Sequence, residues 1–371
     1  MINIVVTGAE GMLGRHVSAR AIATSDASLV RIGRSAFSHP TQLEEAVREA
    51  DLVIHLAGMN RGPGDEIEAT NGALAQFLVQ AMESVGSPPH VVFANSTHRV
   101  RDTAYGRSKL VAASILGDWA ERNGARFSDL VLPNVFGEGG RPHYNSVVAT
   151  FCRQLAVEEH SVVESDAEIE ILHAQRVAEF IVEHHVSGIA SNSPIELDGS
   201  SISVSQLLSR LQLIDATYRG GVLPSLDDEL DLDLFNTYRS YLYPRYYPQQ
   251  MVKHVDQRGG LVEIVKGGSA GQTFVSTSHP DVTRGNHFHL RKVERFVVLQ
   301  GSARVSIRNL FSRDVLHFDV TGSDPSMIDI PTLHTHSITN TGQGELLTAF
   351  WAHEVFDPDE PDTHPMNVEA T

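Results

Sequence analysis

The stretch from Gly285 to Gly301 narrows the possible folds more than any other part of the chain. His287 and His289 stand two apart and Glu294 follows five residues later. Phe296, Val297, Val298 and Leu299 then form a strand-like apolar run that Gly301 closes as a turn. In an extended strand, side chains two apart share a face. Two neutral imidazoles and a carboxylate suit a first-row divalent metal and leave room for a further ligand. His336, in the later segment 331–340, supplies that donor.

The surrounding pattern is all-β. Strands are predicted at 272–276, 295–299, 303–309, 315–320, 327–330, 337–339 and 346–351, separated by turns and without a long helix. The tail from Phe356 to Thr363 is expected to close over this domain. The two histidine segments resemble the paired motifs of the cupin family. His287, His289, Glu294 and Gly301 fit the first motif at every spacing, and Pro331, His336 and Asn340 fit the second, with Leu333 where the family prefers glycine. The resemblance implies a small β-barrel with His287, His289, Glu294 and His336 as ligands of zinc or another divalent metal; a three-His, one-Glu set does not separate zinc from iron, nickel or manganese.

A chain of 371 residues is comfortable for two domains. At 41% hydrophobic and 20% charged residues, it has a globular composition with no run apolar enough to cross a membrane. The strand-like start at residues 2–6 leaves no export signal, so a cytoplasmic location is expected. The single cysteine, Cys152, excludes an internal disulfide and reads as a small buried hydrophobe. A net charge of −17 argues against nucleic acid or an anionic membrane as partner. It leaves open an anionic small substrate held by a few arginines.

The N-terminal part has a different periodicity. Residues 2–6 suit a buried parallel strand, and Thr7, Gly8, Gly11, Met12, Leu13 and Gly14 form a glycine-rich turn into a helix that continues through Val17 and Ala21. Such a turn lets backbone approach a dinucleotide pyrophosphate at a helix N-terminus. The strand 28–32 ends in Gly33 and Arg34, without the acidic residue that selects NAD. Arg34 can pair with a 2′-phosphate, which favours NADPH. A helix over 41–49 leads to a third strand ending at Ala57 and Gly58, and Asn60 and Arg61 follow in a loop at the carboxyl ends of the strands. Asn71 is expected to open a helix reaching Met82. Ser96 ends the strand 91–96, and Tyr105 and Lys109, four apart, share one helix face. A lysine ammonium beside a phenol is expected to lower its pKa, so that Tyr105 exchanges a proton with a substrate oxygen polarised by Ser96.

These features resemble the extended short-chain dehydrogenase/reductase family, the branch that acts on nucleotide sugars. The match covers Thr7, Gly8, Gly11, Gly14, His55 to Gly58, Asn71, Ser96, Tyr105, Lys109 and Leu132 to Gly137. It implies a doubly wound α/β Rossmann domain with Ser96, Tyr105 and Lys109 catalytic. It also implies that Ala57, Gly58 and Pro133 lie against the cofactor, and that Asn60, Arg61, Asn134, Arg141 and Asn145 lie against the substrate. His173 to Arg176 departs from the family's usual Tyr-Val-x-Asp. The acidic run 227–233 is expected to open a solvated helix. The Tyr- and Pro-rich run 238–248 marks a boundary between a domain at 1–245 and one at 246–371.

A reductase fused to a metal cupin resembles the CapF family of bifunctional capsular-polysaccharide enzymes, through Ala57 to Arg61, Leu132 to Gly137, Tyr144 to Phe151, Gly285 to Glu294 and Phe356 to Pro358. That resemblance implies a zinc-containing homodimer. Its cupin epimerises C3 of a UDP-linked 4-keto-6-deoxy amino sugar, and its reductase then reduces C4 with NADPH. Lys292 and His334 lie near the ligands in sequence and are candidates for C3 proton transfer. A reductase with a structural or ligand-sensing cupin is the other reading.

Overall fold

The computed structural model describes residues 2–24, 26–86, 88–187, 193–257, 259–267 and 271–369. They fall into two compact units, Met1–Val147 with Ser165–Val204, and Val148–Glu164 with Ser205–Thr371.

In the first unit, strands and helices alternate: β1 (Ile2–Thr7), α1 (Met12–Ala23), β2 (Ala27–Ile32), α2 (Pro40–Val47), β3 (Leu52–His55), α3 (Gly64–Val85), β4 (His90–Ser96), α4 (Ala104–Asn123) and β5 (Phe127–Leu132). They are followed by β6 (Asn134–Phe136), α5 (Val147–Ala156), which passes into the second unit, β7 (Glu168–His173), α6 (Ala174–Ser187), β8 (Ile195–Glu196) and β9 (Ser200–Ser203). The main sheet is parallel, ordered β2-β1-β3-β4-β5-β8. Period-two alternation explains its two layers. Val5, Val53 and Phe93 pack with Leu43, Leu78 and Leu116 on one face, while Ile4, Val6, Ile54 and Val92 pack with Val17, Val177 and Ile181 on the other. Strand order reverses between β1 and β3, the point at whose carboxyl end such sheets bind ligands.

The helix expected to open at Asn71 begins at Gly64, and Asn71 is buried in its interior. Asn71 is a poor helix former by propensity, but its amide is claimed by neighbouring loops and the expected start is corrected accordingly.

Among the described residues, the second unit contains α7 (Val204–Arg219), α8 (Glu229–Leu242) and the strands β10 (Gln249–Gln250), β11 (Lys253–Asp256), β12 (Gly259–Val262), β13 (Gln272–Ser278), β14 (Thr283–Phe288), β15 (Glu294–Gln300), β16 (Ser302–Asn309), β17 (Val315–Thr321), β18 (Ser326–Ile330), β19 (His334–Asn340), β20 (Leu346–Ala352) and β21 (His364–Pro365). Two five-stranded antiparallel sheets, β10-β18-β15-β20-β13 and β17-β16-β19-β14-β21, enclose Phe296, Val298, Val305, Ile307, Ile328, Ile338 and Phe350.

Here the chain departs from the compositional boundary near residue 246. α7 and α8 belong with the barrel because their polar groups anchor on it. Tyr218 Oη donates to Asp329 Oδ2 at 2.6 Å, Asn236 Nδ2 to the Arg291 carbonyl at 2.8 Å, and Arg239 to the Ile330 carbonyl at 3.1 Å. Nor is α8 a solvated helix. Asp228 caps its first turn by accepting from Asp231 N, but Leu232, Leu234, Phe235, Tyr238 and Arg239 are buried.

Asp329 is the centre of this anchoring. It is 1% exposed and takes a bidentate pair from Arg295, at 2.6 and 2.9 Å. Burial pushes its carboxyl up, yet Arg295, Arg239 and Tyr218 outweigh burial and hold it below the usual carboxylate range. Asp329→Ala would leave Arg295 buried without its counter-charge. The expected loss is about 3–5 kcal/mol, read as a lower urea midpoint followed by the fluorescence of Trp351 in the same unit.

Candidate functional site

Two constellations emerge, one in each unit. In the first, β1 delivers Thr7 and the glycine turn to the carboxyl edge of the sheet. Gly8 has φ of +68°, and a Cβ there would lie 2.7 Å from Ala57 N. Gly14 is equally constrained, since a Cβ would meet the Gly8 carbonyl at 2.3 Å. Gly11 precedes α1, whose first turn holds Met12 and Leu13 and no acidic side chain, so its N–H groups can receive an anion. Thr7 is completely buried, and its hydroxyl contacts His55 Nδ1 at 2.8 Å and accepts from Ala57 N at 3.3 Å. Its side chain therefore braces β1 against the loop of Ala57 and Gly58. Arg34 lies exposed in a 3-10 turn after β2.

The helix α4 carries Tyr105 and Lys109 beneath Ser96 at the end of β4. Lys109 is buried and donates to the Ala94 carbonyl at 2.6 Å, with its ammonium 4.7 Å from the Phe93 ring centroid and 5.7 Å from that of Tyr105. Burial brings its pKa down to about 8, against a smaller upward pull from Asp129. The expectation that Lys109 lowers the phenol is corrected. Burial raises the Tyr105 pKa, and the opposing influence is a hydrogen bond with Ser96. The phenol is thus held in its protonated, donating form.

Asn71 ties these pieces together. Its Oδ1 accepts from Met59 N at 2.6 Å, and its Nδ2 donates to the Met59 carbonyl at 2.9 Å and to Ser108 Oγ at 2.8 Å. It fixes the loop carrying Gly58 and Asn60 to α4. The other substrate candidates lie on neighbouring loops. Arg61 and Arg141 stand 5.5 and 4.9 Å from the ring centroid of Tyr144, within cation–π range. Asn60 and Asn145 are exposed, Pro133 is buried, and Asn134 donates to the Glu170 carbonyl at 2.9 Å. The unusual His173 meets Glu138 at 2.9 Å, and His16 meets the Glu138 carbonyl and Gln175 at 3.2 Å each. This departure builds a buried scaffold beside α1.

In the second unit, His287, His289, Glu294 and His336 place one donor atom each within 4.8 Å of one another. Register explains the convergence, because His287 on β14 pairs with His336 on β19 across a bulge after Gly285. Gly285 has φ of +99°, and a Cβ there would lie 2.7 Å from the His336 carbonyl. Leu333 adopts φ of +60°, the conformation that explains a preference for glycine, and its N–H donates to the His289 carbonyl at 3.1 Å.

Asp362, on the tail, was not identified from sequence; the acidic, proline-rich run 357–362 carries no signal that marks one carboxylate. Its oxygens accept from Leu290 N, Arg291 N and Lys292 N at 2.9, 3.0 and 2.7 Å, and its carbonyl accepts from His289 Nδ1. That bond leaves His289 Nε2 facing Glu294 Oε2 at 3.3 Å. Burial, with its neighbouring histidines, brings His287 down to about 3. Burial also lowers His336, against the pull of Glu294. Burial pushes Glu294 up, but His289 and His336 overcome it and hold the carboxyl ionised. His336 is completely buried, its Nε2 is 3.2 Å from Glu294 Oε2, and neither ring nitrogen makes a well-formed hydrogen bond. Orphaned imidazole nitrogens beside an ionised carboxylate fit a divalent cation.

A cavity of about 400 Å³ opens on this cluster, lined by Phe274, Arg284, His287, Lys292, Glu294, Phe350 and Glu354 among others. Lys292 is buried at its wall and donates to the Pro361 carbonyl. His334 is not among the lining residues. Its ring meets the Thr332 carbonyl at 2.8 Å and Asn309 at 3.3 Å, so its nearness to the ligands in sequence does not extend to the cavity.

Two family models match the chain, the NAD dependent epimerase/dehydratase family over residues 4–189 and the polysaccharide biosynthesis C-terminal domain over residues 254–364. The UDP-2-acetamido-2,6-beta-L-arabino-hexul-4-ose reductase of Pseudomonas aeruginosa is 31% identical over 370 residues, covering 99% of each chain. The crystal structure of the capsular polysaccharide assembling protein CapF from Staphylococcus aureus is 30% identical, covers 99% of this chain and 100% of its own, and has a TM-score of 0.64. The UDP-glucose 4-epimerase of Thermotoga maritima, at 16% identity and TM-score 0.55 over 65% of this chain and 98% of its own, shares the fold alone. Among the described residues, no helix is long and apolar enough to cross a membrane.

Proposed function

This chain belongs to the NAD dependent epimerase/dehydratase family and is a homologue of CapF, and we propose that it converts a UDP-linked 4-keto-6-deoxy amino sugar in two steps. The barrel inverts C3, and the Rossmann domain then reduces the C4 ketone with NADPH to UDP-2-acetamido-2,6-dideoxy-L-talose. The observation that carries the reading is the joint presence, in one chain, of a Ser96–Tyr105–Lys109 constellation and a three-His, one-Glu cluster of which His287 and Glu294 line a cavity. End-to-end similarity to a reductase of a UDP-hexulose supports the substrate class. We extend the reading to a cytoplasmic homodimer.

The chemistry fixes the order. A C–H beside a ketone is acidic because the carbanion delocalises onto oxygen, and reduction at C4 removes that activation. Inversion at C3 therefore precedes reduction.

In the first unit, the N-terminus of α1, with Gly8, Gly11, Met12, Leu13 and Gly14, receives the pyrophosphate, and Arg34 pairs with the 2′-phosphate. Ala57, Gly58 and Pro133 shape the cofactor pocket, Thr7 supporting it from beneath. Bound NADPH supplies the hydride. Tyr105 donates its proton to the C4 oxygen, Ser96 hydrogen-bonds that oxygen, and Lys109 holds the nicotinamide ribose. Arg61 and Arg141 take the substrate diphosphate, with Asn60, Asn134 and Asn145 orienting the sugar. In the second unit, a divalent metal such as zinc, held by His287, His289, Glu294 and His336, supplies Lewis acidity toward the ketone oxygen. Lys292 adds positive charge where negative charge develops at that oxygen.

Incubation with the keto sugar in D2O, without NADPH, is expected to place deuterium at C3 by NMR, and later NADPH to yield the reduced sugar. Reduction without exchange would mean a lone reductase carrying a structural or ligand-sensing barrel.

A further inference from the structure

The proposed inversion needs a group that accepts a proton from C3, and the cavity wall narrows the choice. Among the described lining residues, the carboxylates are Glu294 and Glu354. Glu294 and His287, the lining residues of the cluster, belong to the four-donor set whose atoms lie within 4.8 Å of one another, the set proposed to hold the metal. Arg284 and the Lys292 ammonium offer donors and no acceptor lone pair. Ser276, Thr363 and Gln272 are not bases near neutrality.

Glu354 is also held in place. It follows β20, where His353 N donates to the Val293 carbonyl at 3.1 Å and Val293 N to His353 Nδ1 at 3.0 Å, locking the two stretches together. Arg291 Nε donates to Glu354 Oε2 at 3.2 Å, and His353 Nε2 lies 3.7 Å from the same oxygen. The other oxygen, Oε1, faces Lys292 Nζ at 3.7 Å. One edge of the carboxylate is thus anchored and the other borders the amine proposed above to face the ketone.

We propose that Glu354 is the base that removes the C3 proton, an assignment that rests on the C3 reading above. The C3–H bond breaks, its proton passes to a Glu354 oxygen, and its electron pair forms the C3–C4 double bond as the C4 carbonyl π pair moves onto oxygen. Water then delivers a proton to the opposite face of C3 as the electrons return. The hydroxide it leaves is neutralised by the proton on Glu354, which restores the carboxylate.

The test uses the full chain loaded with zinc and the keto sugar in D2O. For Glu354→Gln, C3 deuterium incorporation is expected to fall about 100-fold or more, with zinc content by elemental analysis unchanged. Glu354→Ala should lose the exchange and regain about tenfold of it on addition of formate, a proton acceptor small enough to replace the missing side chain. A structural role for Glu354 would not respond to formate. Exchange in Glu354→Gln within about threefold of the wild type, or no recovery with formate, would overturn the assignment. A wild-type chain that itself fails to exchange would instead refute the C3 reading, so the two failures are distinguishable.

Discussion

Tyr105→Phe is expected to lower the rate of ketone reduction by about 10²–10⁴-fold, the range lost when a positioned proton donor is removed, while NADPH still binds. The ring fills the same space, so the packing of α4 is preserved. On the proposed reading, what disappears is the proton that must reach the C4 oxygen as hydride arrives at carbon. Burial keeps the phenol protonated and Ser96 hydrogen-bonds it, so Ser96→Ala should give a smaller loss of the same kind. The pH dependence follows from Lys109. Its proton leaves at about 8 in the folded protein, so kcat/KM should fall as pH rises through that value, earlier than a solvated lysine near 10.4 would permit. Stability moves the other way. Between pH 8 and the ordinary lysine range, the unfolded chain binds the proton that the folded chain has lost, so this site favours folding increasingly as pH rises. An activity profile flat to pH 10, or a Tyr105→Phe variant with near-normal reduction, would remove Tyr105 and Lys109 from the chemistry.

What the sequence disclosed here was whatever repeats with a fixed local spacing. The glycine turn, the Tyr105–Lys109 pair and the 287–289–294–301 spacing are short-range geometry, and backbone periodicity alone orients them. The barrel strands were legible because one buried face imposes alternation. What stayed hidden depends on contacts far apart in sequence. Nothing around Asn71 says that its amide will pin Met59 and Ser108, and nothing around Asp362 says that three consecutive N–H groups of residues 290–292 will converge on it. The acidic run 227–233 reads as a solvated helix and the Tyr- and Pro-rich run 238–248 as a boundary, because Asn236 and Arg239 carry polar tips whose partners lie in the barrel. The lysine effect on Tyr105 failed for a related reason. Spacing places two residues on one face, but burial and the Ala94 carbonyl decide where the ammonium charge goes.

His336→Ala should abolish tight divalent-metal binding, and the energetic signature is specific. In the metal-free protein the wild-type imidazole is completely buried with neither nitrogen properly hydrogen-bonded. Its removal leaves a cavity and takes away one of the two imidazoles that hold the buried Glu294 carboxyl ionised, so the metal-free stabilities should differ modestly, with the variant the lower. With zinc present they separate. A ligand that binds only the folded state adds about 4 kcal/mol at a thousand times its Kd, and that increment should vanish in His336→Ala. Losing one of four donors weakens binding by more than the about 10–100-fold cost of losing an outer-shell partner. Adding zinc to chelator-treated wild-type protein should therefore raise the melting temperature of the second unit, and leave the variant unmoved. On the proposed two-step reading the sugar product should change in step, because reduction assisted by Tyr105 would then act on a ketone whose C3 has not been inverted. Equal zinc-induced shifts in both proteins, or unaltered product stereochemistry from a metal-free variant, would show that the histidine cluster is barrel interior and that the C3 chemistry lies elsewhere.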